Sequence, residues 1–148
     1  MTTFQERFRY RAVETAVYRG TPYQAGGSDR IKPFISLILQ SDDPAPPGLQ
    51  PYGAPEDAVY LVDPAELDEW YRSRWTYTWR GEPFTSIGLS ETGMLGGYYE
   101  GSNVKFADEH LRRVGAIEYD GNVPLDEVDD LTEHREDLLQ AWQNRQAT

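Results

Sequence analysis

The stretch Tyr10-Arg-Ala-Val-Glu-Thr-Ala-Val-Tyr-Arg-Gly-Thr-Pro-Tyr-Gln-Ala-Gly-Gly27 recurs 61 residues later as Tyr71-Arg-Ser-Arg-Trp-Thr-Tyr-Thr-Trp-Arg-Gly-Glu-Pro-Phe-Thr-Ser-Ile-Gly88. Seven of the eighteen paired positions are identical, whereas ordinary residue frequencies would supply about one. An offset that holds across a whole unit indicates duplication. The sequence therefore predicts one structural unit built twice.

The same offset continues beyond this stretch. It pairs Val62 with Val123, Glu66 with Glu127 and Asp68 with Asp129. Because neither half is large enough to bury a good core alone, we predict a single α+β domain over residues 1–148 that is rich in β-structure. The first repeat covers about 8–70, the second about 71–131, and a C-terminal helix about 131–145.

Each copy is predicted to open with a β-hairpin. The even positions from 8 to 18 form an apolar face that only Glu14 interrupts, which is typical of a half-buried strand. The matching face of the second copy carries Tyr71, Trp75, Tyr77 and Trp79. Arg19-Gly20 and Arg80-Gly81 then supply the turns, where glycine adopts positive φ without steric cost.

The rest of each copy is predicted from apolar runs and proline content. Residues 34–39 are apolar on both faces and indicate a central strand, with a counterpart at 94–99 in which Gly96-Gly97 marks a bulge. Prolines across 42–57 indicate an exposed irregular loop. Short strands are expected at 58–62 and 116–119.

Three helices are predicted from capping signals. Asp63 and Pro64 begin a short helix that reaches about Tyr71. A second helix covers about 107–114 and ends at Gly115. Asp130 and Glu133 have capping-box spacing before the final helix, in which Leu131, Leu138, Leu139 and Trp142 form an apolar stripe.

Composition narrows the classes of function. The net charge is −11, and residues 106–148 hold eleven Asp/Glu against four Lys/Arg. A field of that sign repels nucleic acid and anionic membranes and favours a basic protein partner. The chain has no Cys, no apolar run long enough to span a membrane and no signal-peptide pattern at its start. We expect a cytoplasmic protein that binds neither nucleic acid nor membranes.

Motifs for catalysis or cofactor binding are missing from the sequence. The two histidines, His110 and His134, lack the spacing of a metal site, and no nucleophile elbow or phosphate-binding loop is present. We therefore predict no catalytic residues, cofactor or metal, and a protein that is not an enzyme. The aromatic cluster from Trp70 to Trp79 is interpreted as packing in the core and on the sheet, with a partner surface as the alternative.

Several segments resemble a known group of bacterial proteins. These are Trp79-Arg-Gly-Glu-Pro-Phe84, Val123-Pro-Leu-Asp-Glu-Val-Asp-Asp-Leu131 and Glu136-Asp-Leu-Leu139. Over about residues 58–140 the chain is similar to small cytosolic immunity-type proteins encoded beside polymorphic toxins, including those that neutralise NAD-glycohydrolase toxins. The resemblance implies a specific inhibitor that occupies the mouth of a toxin's active site.

The leading hypothesis is thus a non-enzymatic immunity protein that neutralises a cognate toxin, either an NAD-glycohydrolase or a nuclease. Acidic residues would steer the basic partner and aromatic residues would anchor it. The predicted interface residues are Asp42, Asp43, Glu56, Asp57, Trp70, Trp75, Asp126, Glu127, Asp129 and Asp130. Two alternatives stay open: a ligand-binding module or enzyme with a site between the repeats, and a structural or phage-type interaction subunit.

Overall fold

A computed structural model describes residues 3–26 and 34–147. Within these residues the strands are β1 Val13–Tyr18, β2 Thr21–Gly26, β3 Ile35–Ile38, β4 Val59–Val62, β5 Glu69–Trp79, β6 Glu82–Leu89, β7 Met94–Tyr99, β8 Arg112–Arg113, β9 Tyr119–Pro124 and β10 Asp129–Asp137. The helices are α1 Phe4–Arg7, α2 Val104–His110 and α3 Leu138–Gln146, and three 3₁₀ helices are η1 Pro55–Asp57, η2 Pro64–Glu66 and η3 Leu125–Glu127.

The described strands form one antiparallel sheet. Its neighbour order is β4-β3-β2-β1-β5-β6-β7-β9-β8, and β10 pairs with β5. The predicted β-rich α+β class and the C-terminal helix are confirmed, whereas the twofold repetition stays a prediction.

Among the residues described, no helix has the length and apolar character needed to cross a membrane.

The chain divides into two compact units. Unit 1 comprises Met1–Arg7, Val13–Arg72 and Arg135–Thr148, and unit 2 comprises Phe8–Ala12 and Ser73–His134. The division after Arg72 lies close to the predicted repeat boundary at residues 70/71. The short segment at residues 8–12 belongs to the second unit, and the C-terminal helix belongs to the first.

Unit 1 is built on the β1–β2 hairpin. Tyr18 pairs with Thr21, so Arg19 and Gly20 form the turn, with φ angles of 49° and 81°. Positive φ at both positions is the type I′ geometry that matches the twist of a hairpin. The buried core residues of this unit are Ala16, Tyr18, Tyr23, Ala25, Ile35, Leu37, Val62, Leu67 and Trp70.

Unit 2 contains the second hairpin, β5–β6. Trp79 pairs with Glu82, and Arg80 and Gly81 have φ angles of 52° and 78°. The predicted hairpins are therefore both confirmed at their turns. The buried core residues of unit 2 are Tyr77, Trp79, Phe84, Leu95 and Val123.

The first predicted strand is too long at its beginning. The strand begins at Val13 rather than at residue 8, because Tyr10 has a φ of 57°, which an extended strand does not allow. Tyr10 instead packs on the core of unit 2, and its carbonyl oxygen accepts a hydrogen bond from Ser86 Oγ at 2.6 Å. Gly27, the last residue of the first copy, lies outside the described residues.

The bulge predicted at Gly96-Gly97 is placed on the facing strand. Ser86 pairs with Gly97 and Gly88 pairs with Gly96, so Ile87 is the extra residue in β6. Gly88 has a φ of 129°, a conformation that glycine adopts without strain.

The boundaries of two helices and one strand differ from the predictions. Asp63 does cap, accepting from Ala65 N at 2.9 Å, but η2 ends at Glu66 and strand β5 follows, so a helix to Tyr71 is wrong. Helix α2 begins at Val104 instead of about 107, because Asn103 is its N-cap, and it ends at His110 instead of 114, because strand β8 follows at Arg112. Strand β9 covers Tyr119–Pro124 rather than 116–119.

The final helix begins seven residues later than predicted. Residues 129–137 form β10, and α3 begins at Leu138 with Asp137 as its N-cap. The residues of the predicted apolar stripe pack on two different cores. Leu131 packs on the core of unit 2, whereas Leu138, Leu139 and Trp142 pack on that of unit 1. Capping by Asp130 and Glu133 is therefore wrong.

Candidate interaction surface

A row of paired residues crosses the sheet of unit 2. Thr76 pairs with Thr85, Thr85 with Tyr98, Tyr98 with Asp120, and Asp120 with Arg112. Residues directly opposite each other in antiparallel strands project their side chains from the same face. The neighbouring positions Tyr77, Phe84 and Tyr99 belong to the core of this unit, so the row lies on the opposite, outward face. We call this row, together with Ile87, the outward face of unit 2.

Two large apolar side chains are exposed on this face. Tyr98 is 48% exposed and Ile87 is 45% exposed. A Cβ at Gly96 would lie 3.1 Å from Ile87 Cγ1 and 2.9 Å from Asn122 Oδ1. Because Gly96 has no side chain, Ile87 lies flat over the strand that carries Tyr98. The β6 bulge and a glycine on β7 thus place an aliphatic and an aromatic side chain on one patch of surface.

Polar groups occupy both ends of the row. Arg112 donates two hydrogen bonds to Asp120, at 3.1 and 3.0 Å, and this pairing raises the pKa of the Arg112 guanidinium. At the other end Thr76 Oγ1 lies 2.7 Å from His134 Nε2. Thr78 Oγ1 lies 3.4 Å from a carboxylate oxygen of Asp130, whose φ is 54°. The apolar centre therefore has a charged and polar border.

The four predicted loop acids belong to unit 1 and differ in their surroundings. Asp42, Glu56 and Asp57 are exposed. Asp43 is different, because its side chain is 7% exposed, forms an ion pair with Arg7 at 2.7 Å and accepts from Gln40 N at 2.8 Å. Asp43 therefore has a structural role in holding the loop and offers little surface to a partner.

The predicted acids near the C-terminus belong to unit 2, and all four are exposed: Asp126, Glu127, Asp129 and Asp130. Glu127 accepts from Trp79 Nε1 at 3.3 Å, and the carbonyl oxygen of Asp129 accepts from Thr78 Oγ1 at 3.4 Å. Asp130 alone among the predicted acids has its side chain beside the outward face. The ten predicted interface residues are therefore divided between the two units.

The predicted aromatic anchors are mainly packing residues. Trp70 is 7% exposed in the core of unit 1 and donates to Glu14 at 3.0 Å, so it presents little surface to a partner. Trp75 is half-buried and meets the ring of Tyr10 edge to face at 5.0 Å. The interpretation of this cluster as packing holds for Trp70, Tyr77 and Trp79, which are all buried.

Each unit has a cavity of its own. One of about 190 Å³ in unit 1 is lined by Trp70, Tyr71 and Arg135, whose guanidinium lies 4.1 Å from the Tyr71 ring centre. Another, of about 470 Å³ in unit 2, lies between the Thr92–Met94 turn and Pro124–Asp126. Within residues 3–26 and 34–147, no group of three or more His, Asp or Glu side chains is placed to hold a metal ion.

Comparison with protein-family models, with curated proteins and with solved structures finds no match for this chain.

The interface residues predicted from the sequence do not include Tyr98 or Ile87. The alternation of β7 contained a signal for Tyr98, since Leu95 and Tyr99 point inward and Tyr98 has the opposite parity. Ile87 gave no such signal, because its exposure depends on the bulge in β6.

Proposed function

We propose that this protein is a non-enzymatic binding protein, and specifically an immunity protein that neutralises a cognate bacterial toxin. The observation that carries the proposal is the exposed pair Tyr98 and Ile87, bordered by Asp120, Arg112 and Asp130. Interfaces between proteins commonly have aromatic and aliphatic anchors at the centre and a polar border that excludes water. The outward face of unit 2 has that composition.

Charge supports a basic partner. Unit 2 contains twelve Asp/Glu and seven Lys/Arg, and unit 1 contains thirteen and seven. An acidic protein attracts a basic partner over a distance of about a Debye length, which raises the rate of association. We propose that the exposed acids Asp126, Glu127, Asp129 and Asp130 contribute to this attraction. A toxin that acts on NAD or on nucleic acid would present the matching basic surface around an anionic substrate.

We also propose that the two units are copies of one structural unit. The four residue pairs of the β1–β2 hairpin recur in the β5–β6 hairpin, each shifted by 61 positions. The 3₁₀ helix η2 and η3 are separated by the same 61 positions. Superposition of the two hairpins is the direct test, and backbones that fail to superimpose over their four residue pairs would contradict the proposal.

Co-expression with the toxin encoded beside the gene, followed by purification of the complex and a growth-protection assay, tests the proposed function. We expect Tyr98→Ala to weaken the Kd at least tenfold, because removing a central aromatic anchor costs more than about 1.4 kcal/mol. Tyr52→Ala is the matched control, since Tyr52 is 50% exposed but belongs to unit 1. The proposal fails if the wild-type protein forms no complex and gives no protection.

A further inference from the structure

A second apolar feature of unit 2 lies at the tip of the β8–β9 hairpin. We call residues Val114–Glu118, which connect Arg113 to Tyr119, the β8–β9 tip. Ile117 is 88% exposed and Val114 is 43% exposed, and Ala116 between them is exposed as well. Single apolar residues on a surface are ordinary. Two large ones with an alanine in five residues of a strongly polar chain are less so.

The β8–β9 tip is held in one conformation by its own hydrogen bonds. Val114 N donates to Glu118 O at 2.8 Å, and Arg113 Nε donates to the carbonyl oxygen of Gly115 at 3.1 Å. A second Arg113 nitrogen donates to the carbonyl oxygen of Ala116. A tip that is already ordered loses less conformational entropy when a partner immobilises it.

The Glu118 carboxylate lies at the tip. A Cβ at Gly115 would lie 2.9 Å from a carboxylate oxygen of Glu118, so this carboxylate lies over the glycine at the tip. Asp108 accepts from the Tyr119 hydroxyl at 2.8 Å at the base of the hairpin. The Arg113 guanidinium donates hydrogen bonds to backbone carbonyl oxygens of the tip. The tip thus combines the protruding aliphatic side chain of Ile117 with the carboxylate of Glu118.

The base of the hairpin joins the outward face of unit 2. Arg112 in β8 pairs with Asp120 in β9, and Asp120 pairs with Tyr98 in β7. The β8–β9 tip therefore extends the row of residues that carries the proposed function. A partner covering Tyr98 and Ile87 would meet Ile117 at the margin of the same surface.

We propose that Ile117 inserts into an apolar pocket of the partner protein whose border carries Lys or Arg. The inference rests on the proposed function and names the chemistry of the partner at this point. Charge complementarity selects the occupant, because Glu118 would face the basic border. A second copy of the chain is disfavoured, because it has the same net charge of −11 and like charges repel.

The test measures the Kd for the neighbour-encoded toxin with Ile117 variants of the full chain. We expect Ile117→Ala to weaken binding about tenfold and Ile117→Asp about a hundredfold or more, because a charge would have to enter the apolar pocket. Val104→Asp is the matched control, since Val104 is 60% exposed in unit 2 but lies at the start of α2. It should change the Kd less than threefold. Hydrogen exchange at residues 113–119 should slow in the complex.

Each result decides the inference. Wild-type affinity in Ile117→Asp, with the complex intact, would overturn the insertion while leaving the proposed function standing. No complex with the wild-type protein would overturn both. Sedimentation of the free protein tests the other occupant: a concentration-dependent dimer that Ile117→Asp abolishes would assign the tip to self-association and contradict the proposal.

Discussion

The two hairpins share their turns and differ in how their cores are filled. In unit 1 the first strand contributes the fully buried Ala16, and Leu37 on the third strand is fully buried as well. In unit 2 the first strand contributes Tyr77, 61 positions after Ala16, and the third strand contributes Gly97. Leu37 pairs with Ala25, and Gly97 pairs with Ser86, which lies 61 positions after Ala25. Leu37 and Gly97 therefore hold the same place relative to their hairpins.

The two units place side-chain volume on different strands although the residue pairs of their hairpins correspond, a difference that we call the exchange of volume. At these positions the large residue is Leu37 on the third strand of unit 1 and Tyr77 on the first strand of unit 2. The residue on the other strand is small in each case, Ala16 in unit 1 and Gly97 in unit 2. Close packing requires such an exchange, since interiors tolerate neither voids nor overlap. Unit 2 also has the bulge in β6. The offset between the third strands, from Leu37 to Gly97, is 60 rather than 61.

The largest predicted effect comes from undoing this exchange in unit 2. A Cβ at Gly97 would lie 2.8 Å from Tyr77 Cζ and 3.1 Å from the carbonyl oxygen of Thr85. We expect Gly97→Leu to lower the free energy of unfolding by about 3 kcal/mol or more, and Tyr77→Ala by about 3–5 kcal/mol. The double variant should recover about 1–3 kcal/mol relative to the sum, because the leucine occupies the space of the ring. Urea denaturation of all four proteins measures the coupling.

Gly26→Ala in unit 1 is the control for glycine replacement. A Cβ at Gly26 would meet its nearest atom, Ile38 Cδ1, at 3.6 Å, which is ordinary contact. We expect a change below about 1 kcal/mol. Additive single and double changes at Tyr77 and Gly97 would contradict the exchange of volume between the strands.

The features that local chemistry determines could be predicted from the sequence. Arg-Gly turns, the apolar run of β3 and the cap at Asp63 each depend on a few adjacent residues. Spacing predicts a final helix that begins at residue 131, because Leu131 continues the apolar stripe of Leu138, Leu139 and Trp142. Sequence spacing could not reveal that Leu131 packs in a different unit from the other three.

The candidate surface was harder to predict because exposure is a tertiary property. Tyr98 and Tyr99 are adjacent and chemically identical, yet Tyr98 is 48% exposed while Tyr99 packs on the core of unit 2. Ile117 lies in an apolar run that was interpreted as a strand, and only the position of β9 places it at a turn. The predicted acids are abundant in the sequence, so their composition gave no means of choosing among them.

Tyr23 in unit 1 and Tyr77 in unit 2 are both buried, and their hydroxyl groups differ in hydrogen bonding. Tyr23 in unit 1 donates to the carbonyl oxygen of Pro44 at 2.8 Å. The Tyr77 hydroxyl in unit 2 is buried and has no hydrogen-bond partner among the described residues. Burial raises the pKa of both groups, and that of Tyr77 rises to about 12. The difference predicts contrasting responses to alkaline pH and to removal of the hydroxyl.

Alkaline pH should destabilise the protein through Tyr77. Tyrosine in the unfolded chain ionises near pH 10, while folded Tyr77 keeps its proton to about 12. Between these values the unfolded state binds fewer protons, so the free energy of unfolding falls by about 1.4 kcal/mol per pH unit from this group. We expect Tyr77→Phe to remove that share of the slope in denaturation curves at pH 10–12. At pH 8 and 9 the difference between the two proteins should be constant, and a slope unchanged by the substitution would contradict the assignment.

At neutral pH the same substitution should have opposite signs in the two units. Tyr23→Phe leaves the Pro44 carbonyl oxygen without its donor, and we expect a loss of about 1 kcal/mol in the free energy of unfolding. Tyr77→Phe removes a buried hydroxyl that has no hydrogen-bond partner among the described residues, so we expect no loss and a gain of up to about 1 kcal/mol. Urea denaturation at pH 7 measures both. A loss of similar size in both variants would mean that the Tyr77 hydroxyl makes a stabilising contact, and the two tyrosines would then be equivalent in spite of their different surroundings.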